Sequence, residues 1–166
     1  DVAAADVLGH SVKLIAMVNS LDDGRILPAV MPMLVSYDDI MSGVNDVFSA
    51  VAVYGDGIDK AMFYGRGAGK LPTASAVLGD VIEAVKHKVT VFSQSWESSQ
   101  DNRFIANINE LTARWYFRVP SSCTAPEGSY EHENGISYIT AEKMNFKDAM
   151  DKAAECEALA VMPVLE

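Results

Sequence analysis

Cysteine is scarce in this chain, and the scarcity excludes one class of protein at once. Cys123 and Cys156 are the whole inventory in 166 residues, so a disulfide framework is ruled out and two free thiols in a reducing compartment are expected. Long apolar runs are also missing. No stretch reaches the roughly 18 consecutive apolar residues of a membrane span, and no membrane partner is expected. Basic residues are few: 13 Lys and Arg against 23 Asp and Glu leave a formal net charge of −10. Affinity for a phosphate backbone rests on Lys and Arg, so no nucleic acid partner is expected either. No secretory signal is visible, and a cytoplasmic location follows as the expectation. The chain opens on Asp1 and not on Met, which reads as a trimmed piece of a longer protein.

Metal and nucleophile signatures are equally thin. His10, His87 and His132 stand at no metal-ligand spacing to one another or to a cysteine. Surface or capping roles suit them better. Asp22, Asp23, Asp38 and Asp39 lack the twelve-residue loop and closing Glu of a calcium site, and turn chemistry accounts for them. Ser75, in TASAV, lacks a nucleophile elbow. No metal site and no catalytic residue is assigned within the chain.

What is present is apolar material, 49% of the residues, enough for one ordinary domain or two small ones. Residues 3–9 read as a short helix stopped at Gly9, and residues 11–18 as a strand. Asp22-Asp23-Gly24 is a hairpin signal. Residues 26–35 return as a strand that Pro28 and Pro32 should confine to an edge or interrupt. Residues 44–54 and 58–64 form a second hairpin around Gly55-Asp56-Gly57. A glycine-rich turn, Gly65 to Gly69, leads into a helix of about fourteen residues from Pro72. Val77, Leu78, Val81, Ile82 and Val85 give this helix one apolar stripe, expected to be buried. Polar, aperiodic residues 93–103 read as a linker. Beyond it, strands at 113–119, 136–140 and 160–165 and a helix over 146–159 make a second unit, with a long loop at 120–135.

The segment FYGRGAGKLPTASAVLGD, residues 63–80, is the most informative stretch. Glycines between a strand and a helix let the backbone turn and another group approach, and the helix start behind them offers amide donors. The spacing is nevertheless G-x-G-x-G and not the G-x-G-x-x-G of a dinucleotide loop, and Lys70 is followed by Leu71, so the phosphate-loop pattern fails too. By itself this turn fits a ligand loop and a tight connection equally well. Arg66 fits both a bidentate anion contact and a solvated or interface position.

MFYGRGAGKLPTASAV is similar to the signature near the end of the catalytic domain of homoserine dehydrogenases. SGVNDVFSAVAVYGDGIDKA and AADVLGHSVKLIAMV resemble the stretches that precede it in that family, in the same order. The resemblance covers roughly residues 1–90. It implies a parent enzyme, NAD- or NADP-dependent, that interconverts homoserine and aspartate semialdehyde in the threonine, isoleucine and methionine route. In the family a Rossmann nucleotide domain and the catalytic lysine segment stand upstream, so this chain alone is expected to be inactive. Lys13, in SVKLIAMV, is read as structural. The resemblance places Gly67, Ala68, Gly69 and Thr73 at the nicotinamide end of the cofactor, and it implies a homodimer. The second unit resembles the regulatory ACT domain of the same family, with PSSCTAPEGSYEHENG where the first helix, and with it one strand, would stand. Its tail is therefore expected to be structural and not to bind amino acids.

The expected architecture is α+β: a mixed, mostly antiparallel sheet with helices on one side, followed by a truncated ferredoxin-like unit. Residues 1–92 are read as the C-terminal part of a catalytic and dimerisation domain, 93–112 as linker and 113–166 as a degenerate ACT-like domain. The alternative is a stand-alone small-molecule-binding regulatory protein with an ACT-like tail, and the reading frame upstream of Asp1 distinguishes the two.

Overall fold

The structure is a computed structural model that describes residues 1–87 and 101–166. In chain order the elements are α1 (Val2–Val7), β1 (His10–Ser20), β2 (Ile26–Ser36), β3 (Phe48–Gly55), β4 (Asp59–Arg66) and α2 (Lys70–Lys86). There follow β5 (Thr112–Ala113), β6 (Trp115–Val119), β7 (Tyr130–His132), β8 (Gly135–Ile139), β9 (Met144–Asn145), α3 (Phe146–Glu155) and β10 (Ala160–Leu165). Two compact units result. One joins Asp1–Ser42 to Gln100–Glu166, and the other is Gly43–Ser99.

This division differs from the boundary read off the sequence. The opening hairpin does not stay with residues 43–92: it adds to the C-terminal strands as one six-stranded sheet, in the order β1-β2-β10-β6-β8-β7. The joint is a short parallel pairing, Val164 with Leu34 and Leu165 with Val35. Nor do the described residues at 101–112 behave as a linker. Ile26 donates to the Phe104 carbonyl and accepts from the Ala106 amide, and Ala106 and Leu111 are buried in the main core.

Strand β2 shows how two prolines fit inside a sheet. It pairs with β1 over its full length, with Pro28 opposite Val18 and Pro32 opposite Leu14. The Ile26 amide and carbonyl point away from β1, towards residues 104–106. Side of bonding repeats every second residue, so the nitrogens of Pro28 and Pro32 also face away from β1. Strand β10 ladders only at Leu34 and Val35, beyond both prolines. The expectation of an edge strand thus holds for most of the length of β2 and fails at its C-terminal end.

The order β10-β6-β8-β7, antiparallel throughout, is the 4-1-3-2 order of a ferredoxin-like unit. All four strands are present, because β7 forms inside the stretch read as loop. Only the first helix is missing, and residues 120–129 take its place.

Alternation along β6 splits the core by face. Trp115, Phe117 and Val119 enter one cluster, with Tyr138, Leu27 and Ala149 of α3. Tyr116 enters the other, with Ala4, Ala5, Leu34, Met162 and Val164. Trp115 and Phe117 are essentially inaccessible, and burying side chains of this size contributes roughly 1.5–3 kcal/mol each. Trp115 is fixed at its polar atom too, since its indole donates to the Met144 carbonyl at 2.9 Å. That bond and the β5–β9 pairing hold the start of α3, where the Asn145 side chain accepts from the Asp148 amide as an N-cap. On the α1 face, the buried Tyr116 and Ser137 hydroxyls bond each other at 2.9 Å, and His132 Nε2 lies 3.0 Å from Ser137 Oγ. Burial pushes the Tyr116 hydroxyl above its ordinary range.

Candidate glycine-loop site

The second unit consists, in its described part, of the β3–β4 hairpin and α2. The Gly55-Asp56-Gly57 turn sets a register in which Gly55 faces Asp59, Ser49 faces Gly65 and Phe48 faces Arg66. At the open end of the hairpin the rings of Phe48 and Tyr64 stack, 4.9 Å apart and inclined by 7°. The Arg66 guanidinium sits over the Phe48 ring, 5.2 Å from its centroid. A cation on an aromatic face in this range gains about 0.5–1 kcal/mol at an exposed position, which biases Arg66 towards a place beside the glycines.

The chain then leaves the ladder. The Gly67 amide makes one more bond, to the Val47 carbonyl at 3.1 Å. Ala68 follows, and Gly69 reverses the direction with φ 122, a conformation that side chains with a Cβ rarely adopt. Gly69 is also the N-cap of α2, and its carbonyl accepts from the Thr73 amide at 3.1 Å. The four residues named from the sequence therefore come together: three in succession, and Thr73 one helical turn later. All four are exposed.

Two glycines of the loop answer to different demands. Positive φ is required at Gly69. Gly67 is demanded by a neighbour instead: a Cβ there would lie 2.2 Å from Ser49 Oγ and 2.8 Å from Ser49 Cβ. Ser49 was the residue missed, although the hairpin register carries the signal, since it faces Gly65 one step along from the loop. The helix also begins at Lys70, two residues before the proline.

Electrostatically the loop favours an electron-rich group. No side chain caps α2 and no acidic residue occupies its first turn, so the positive end of the helix dipole is not neutralised. Arg66 and Lys70 flank it. Along α2, however, Val77, Leu78, Val81, Ile82 and Val85 are all exposed, against the expectation of a buried stripe. The hairpin and helix do not cover one another's apolar surface.

The remaining candidates resolve into structural roles. Asp23 accepts from the Arg25 amide and side chain, and Arg25 reaches on to Glu110 with two bonds of 2.8 and 2.6 Å. These bonds hold the Asp23 and Glu110 carboxyls below the usual carboxylate range and raise the Arg25 guanidinium. Asp39 caps a turn through the Met41 amide. His10 Nδ1 lies 2.7 Å from the Leu8 carbonyl and His87 pairs with Glu83 at the end of α2. Among the described residues no three His, Cys, Asp or Glu side chains converge as a metal site, and no helix is long and apolar enough to cross a membrane.

Comparison with known proteins bears on this geometry. The homoserine dehydrogenase family model matches residues 1–82. The homoserine dehydrogenase of Corynebacterium glutamicum is 38% identical over 148 residues, 84% of this chain and 33% of that protein. That of Synechocystis is 47% identical over 88 residues, 51% of this chain and 20% of that protein. The chain thus spans about a third or less of the length of these curated relatives, matching their C-terminal part. A crystal structure of a homoserine dehydrogenase from Thiobacillus denitrificans superposes with a TM-score of 0.76 at 21% identity, over 99% of this chain and 44% of that one. One from S. aureus does so with a TM-score of 0.70 at 23% identity, over all of this chain and 44% of that one. At such identities the structural likeness speaks for the fold.

Proposed function

We propose that this chain, which belongs to the homoserine dehydrogenase family, serves as the C-terminal part of an enzyme that interconverts homoserine and aspartate semialdehyde with NAD or NADP. The observation that carries the reading is the run of matched sequence, residues 1–82, that takes in the glycine loop and most of α2. A nicotinamide nucleotide supplies the hydride acceptor when bound. The loop suits its polar end, because the uncapped start of α2, Arg66 and Lys70 offer donors and positive charge with no carboxylate in the first turn. Gly67, Ala68, Gly69 and Thr73 would face it, with Gly67 and Gly69 keeping the backbone close to its neighbours. The nucleotide domain and the group that takes the hydroxyl proton belong to the remainder of the parent, as does partnership in a homodimer. Residues 113–166 serve as a degenerate ACT-like domain.

The test uses the complete enzyme. Ala68→Val adds bulk at an exposed loop position that already carries a Cβ. It is expected to raise KM for the nucleotide about ten-fold with KM for homoserine nearly unchanged, the pattern of lost cofactor binding. An unaltered nucleotide KM overturns the assignment of this loop.

A further inference from the structure

The two cysteines stand 33 positions apart in sequence, yet the fold brings them to one place. Cys123 Sγ donates to the Cys156 carbonyl at 3.1 Å. Cys123 opens the loop that replaces the first helix of the ferredoxin-like unit, and Cys156 is the C-cap of α3. Both thiols are half-buried and free, and both pack against the cluster containing Phe117 and Tyr138. Each also lies near enough to the Tyr138 hydroxyl to raise it, after burial, by its charge. Ala125 of the loop packs against the same cluster. The loop's backbone turn runs from the Cys123 amide to Pro120, and its tip is tied by Ser129 to the Pro126 carbonyl.

We propose that Cys123 and Cys156 form a reversible thiol–disulfide pair, a redox staple that fastens the 120–129 loop to the end of α3. The oxidant is a peroxide. One thiolate attacks the O–O bond, giving a sulfenic acid and hydroxide. The second thiol displaces the sulfenic oxygen as water, forming the S–S bond, so that two thiols and one hydrogen peroxide yield one disulfide and two waters. A sulfur in contact with the backbone of its partner residue stands close to the other cysteine, and closure of the bond requires Cα atoms no more than about 7 Å apart. Half-burial leaves a path for an oxidant as small as peroxide. Dithiol reductants reverse the step by exchange.

The experiment treats the full 166-residue chain with hydrogen peroxide at neutral pH. Intact mass should fall by the two hydrogens lost, and trypsin without reductant should release a crosslinked pair of peptides, 119–143 with 153–166. Dithiothreitol should restore the starting mass, and the oxidised chain should melt several degrees higher, since the closed loop restricts the unfolded chain. Cys123→Ser and Cys156→Ser should each abolish the crosslinked pair and leave the other thiol to oxidise by adding oxygen. Oxygen addition at both cysteines of the unsubstituted chain, or disulfides between chains without the internal crosslink, would overturn the proposal.

Discussion

Gly67 and Gly135 are glycines for different physical reasons, and each reason predicts its own mutational response. At Gly67 the obstacle is the Ser49 side chain, so Gly67→Ala should destabilise the complete enzyme by about 1–3 kcal/mol, the usual cost of overpacking. Ser49→Gly should restore most of the loss, because it removes both clashing atoms. Urea midpoints of the two single variants and the double variant form the cycle that checks it, and additive losses would show that Ser49 is not the cause. Gly67→Val is therefore a poor probe of cofactor binding: its branched side chain meets Ser49 before it meets any ligand. At Gly135 the obstacle is backbone. A Cβ there would lie 2.2 Å from the Val119 carbonyl oxygen, at φ 121, and no side-chain rotation relieves that. Gly135→Ala should be the more damaging, by about 2 kcal/mol or more, with no single compensating substitution. The sequence marked the 65–69 glycines as special, but it could not say which one answers to φ and which to a neighbour. That difference lies in a cross-strand distance, and only the register supplies it.

Among the elements, the turn between β1 and β2 is held to the 3₁₀ turn at Ile108–Glu110 by Arg25, which bridges Asp23 and Glu110. Both carboxyls titrate below their ordinary values when folded. Groups depressed in this way contribute stability that is present above the unfolded values near pH 4 and is lost as pH falls through the folded ones. Arg25→Met should accordingly lower the urea midpoint more at pH 7 than at pH 3. A loss equal at the two pH values would assign the effect to packing. Element types were largely legible: both hairpins, the α2 region and the final strand stand near where alternation and turn residues put them. What escaped was neighbourhood. The prolines of β2 correctly signalled a missing ladder, yet nothing local revealed that β10 would pair just past them. Strand β7 was hidden because YEH carries no apolar alternation, and its existence depends on β8 beside it.

At the scale of the whole molecule the apolar surface is unevenly spent. The outer side of the first hairpin shows Leu14, Ala16 and Val18 opposite Pro32, Val30 and Pro28, all exposed and uncharged. Leu14 and Val30 are 74% and 70% exposed, and Val85 of α2 66%. Contiguous apolar surface of this kind drives association. The purified 166-residue chain is expected to form dimers or larger species by light scattering at micromolar concentration, and Val81→Lys with Val85→Lys should reduce them. A clean monomer for the unsubstituted chain would contradict this. The same chain is expected to show no homoserine-dependent NADP reduction, since positioning and proton transfer supply much of such a rate. Measurable turnover would refute that. Titration calorimetry with threonine, isoleucine, methionine and lysine should give no saturable heat below about millimolar, because the loop at 120–129 offers no helix start to receive a carboxylate. The division into units was the least legible feature. Its joints are distant in sequence: Ile26 bonds Phe104 and Ala106, and Leu34 and Val35 find partners 130 positions later.

That distance has a consequence during synthesis. A ribosome releases β1 and β2 first and β6 to β8 much later, and β10 belongs between these two groups. Domains form from the N-terminus as the chain emerges at about 5–20 residues per second, yet this sheet lacks a middle strand until residues 160–165 are out. From residue 139 to residue 165 the nascent chain therefore carries two half-sheets with no strand between them, the β2 edge uncovered at Leu34 and Val35. A stop codon just before Ala160 would not shorten the sheet at its rim: it would leave the two halves with no strand to join them.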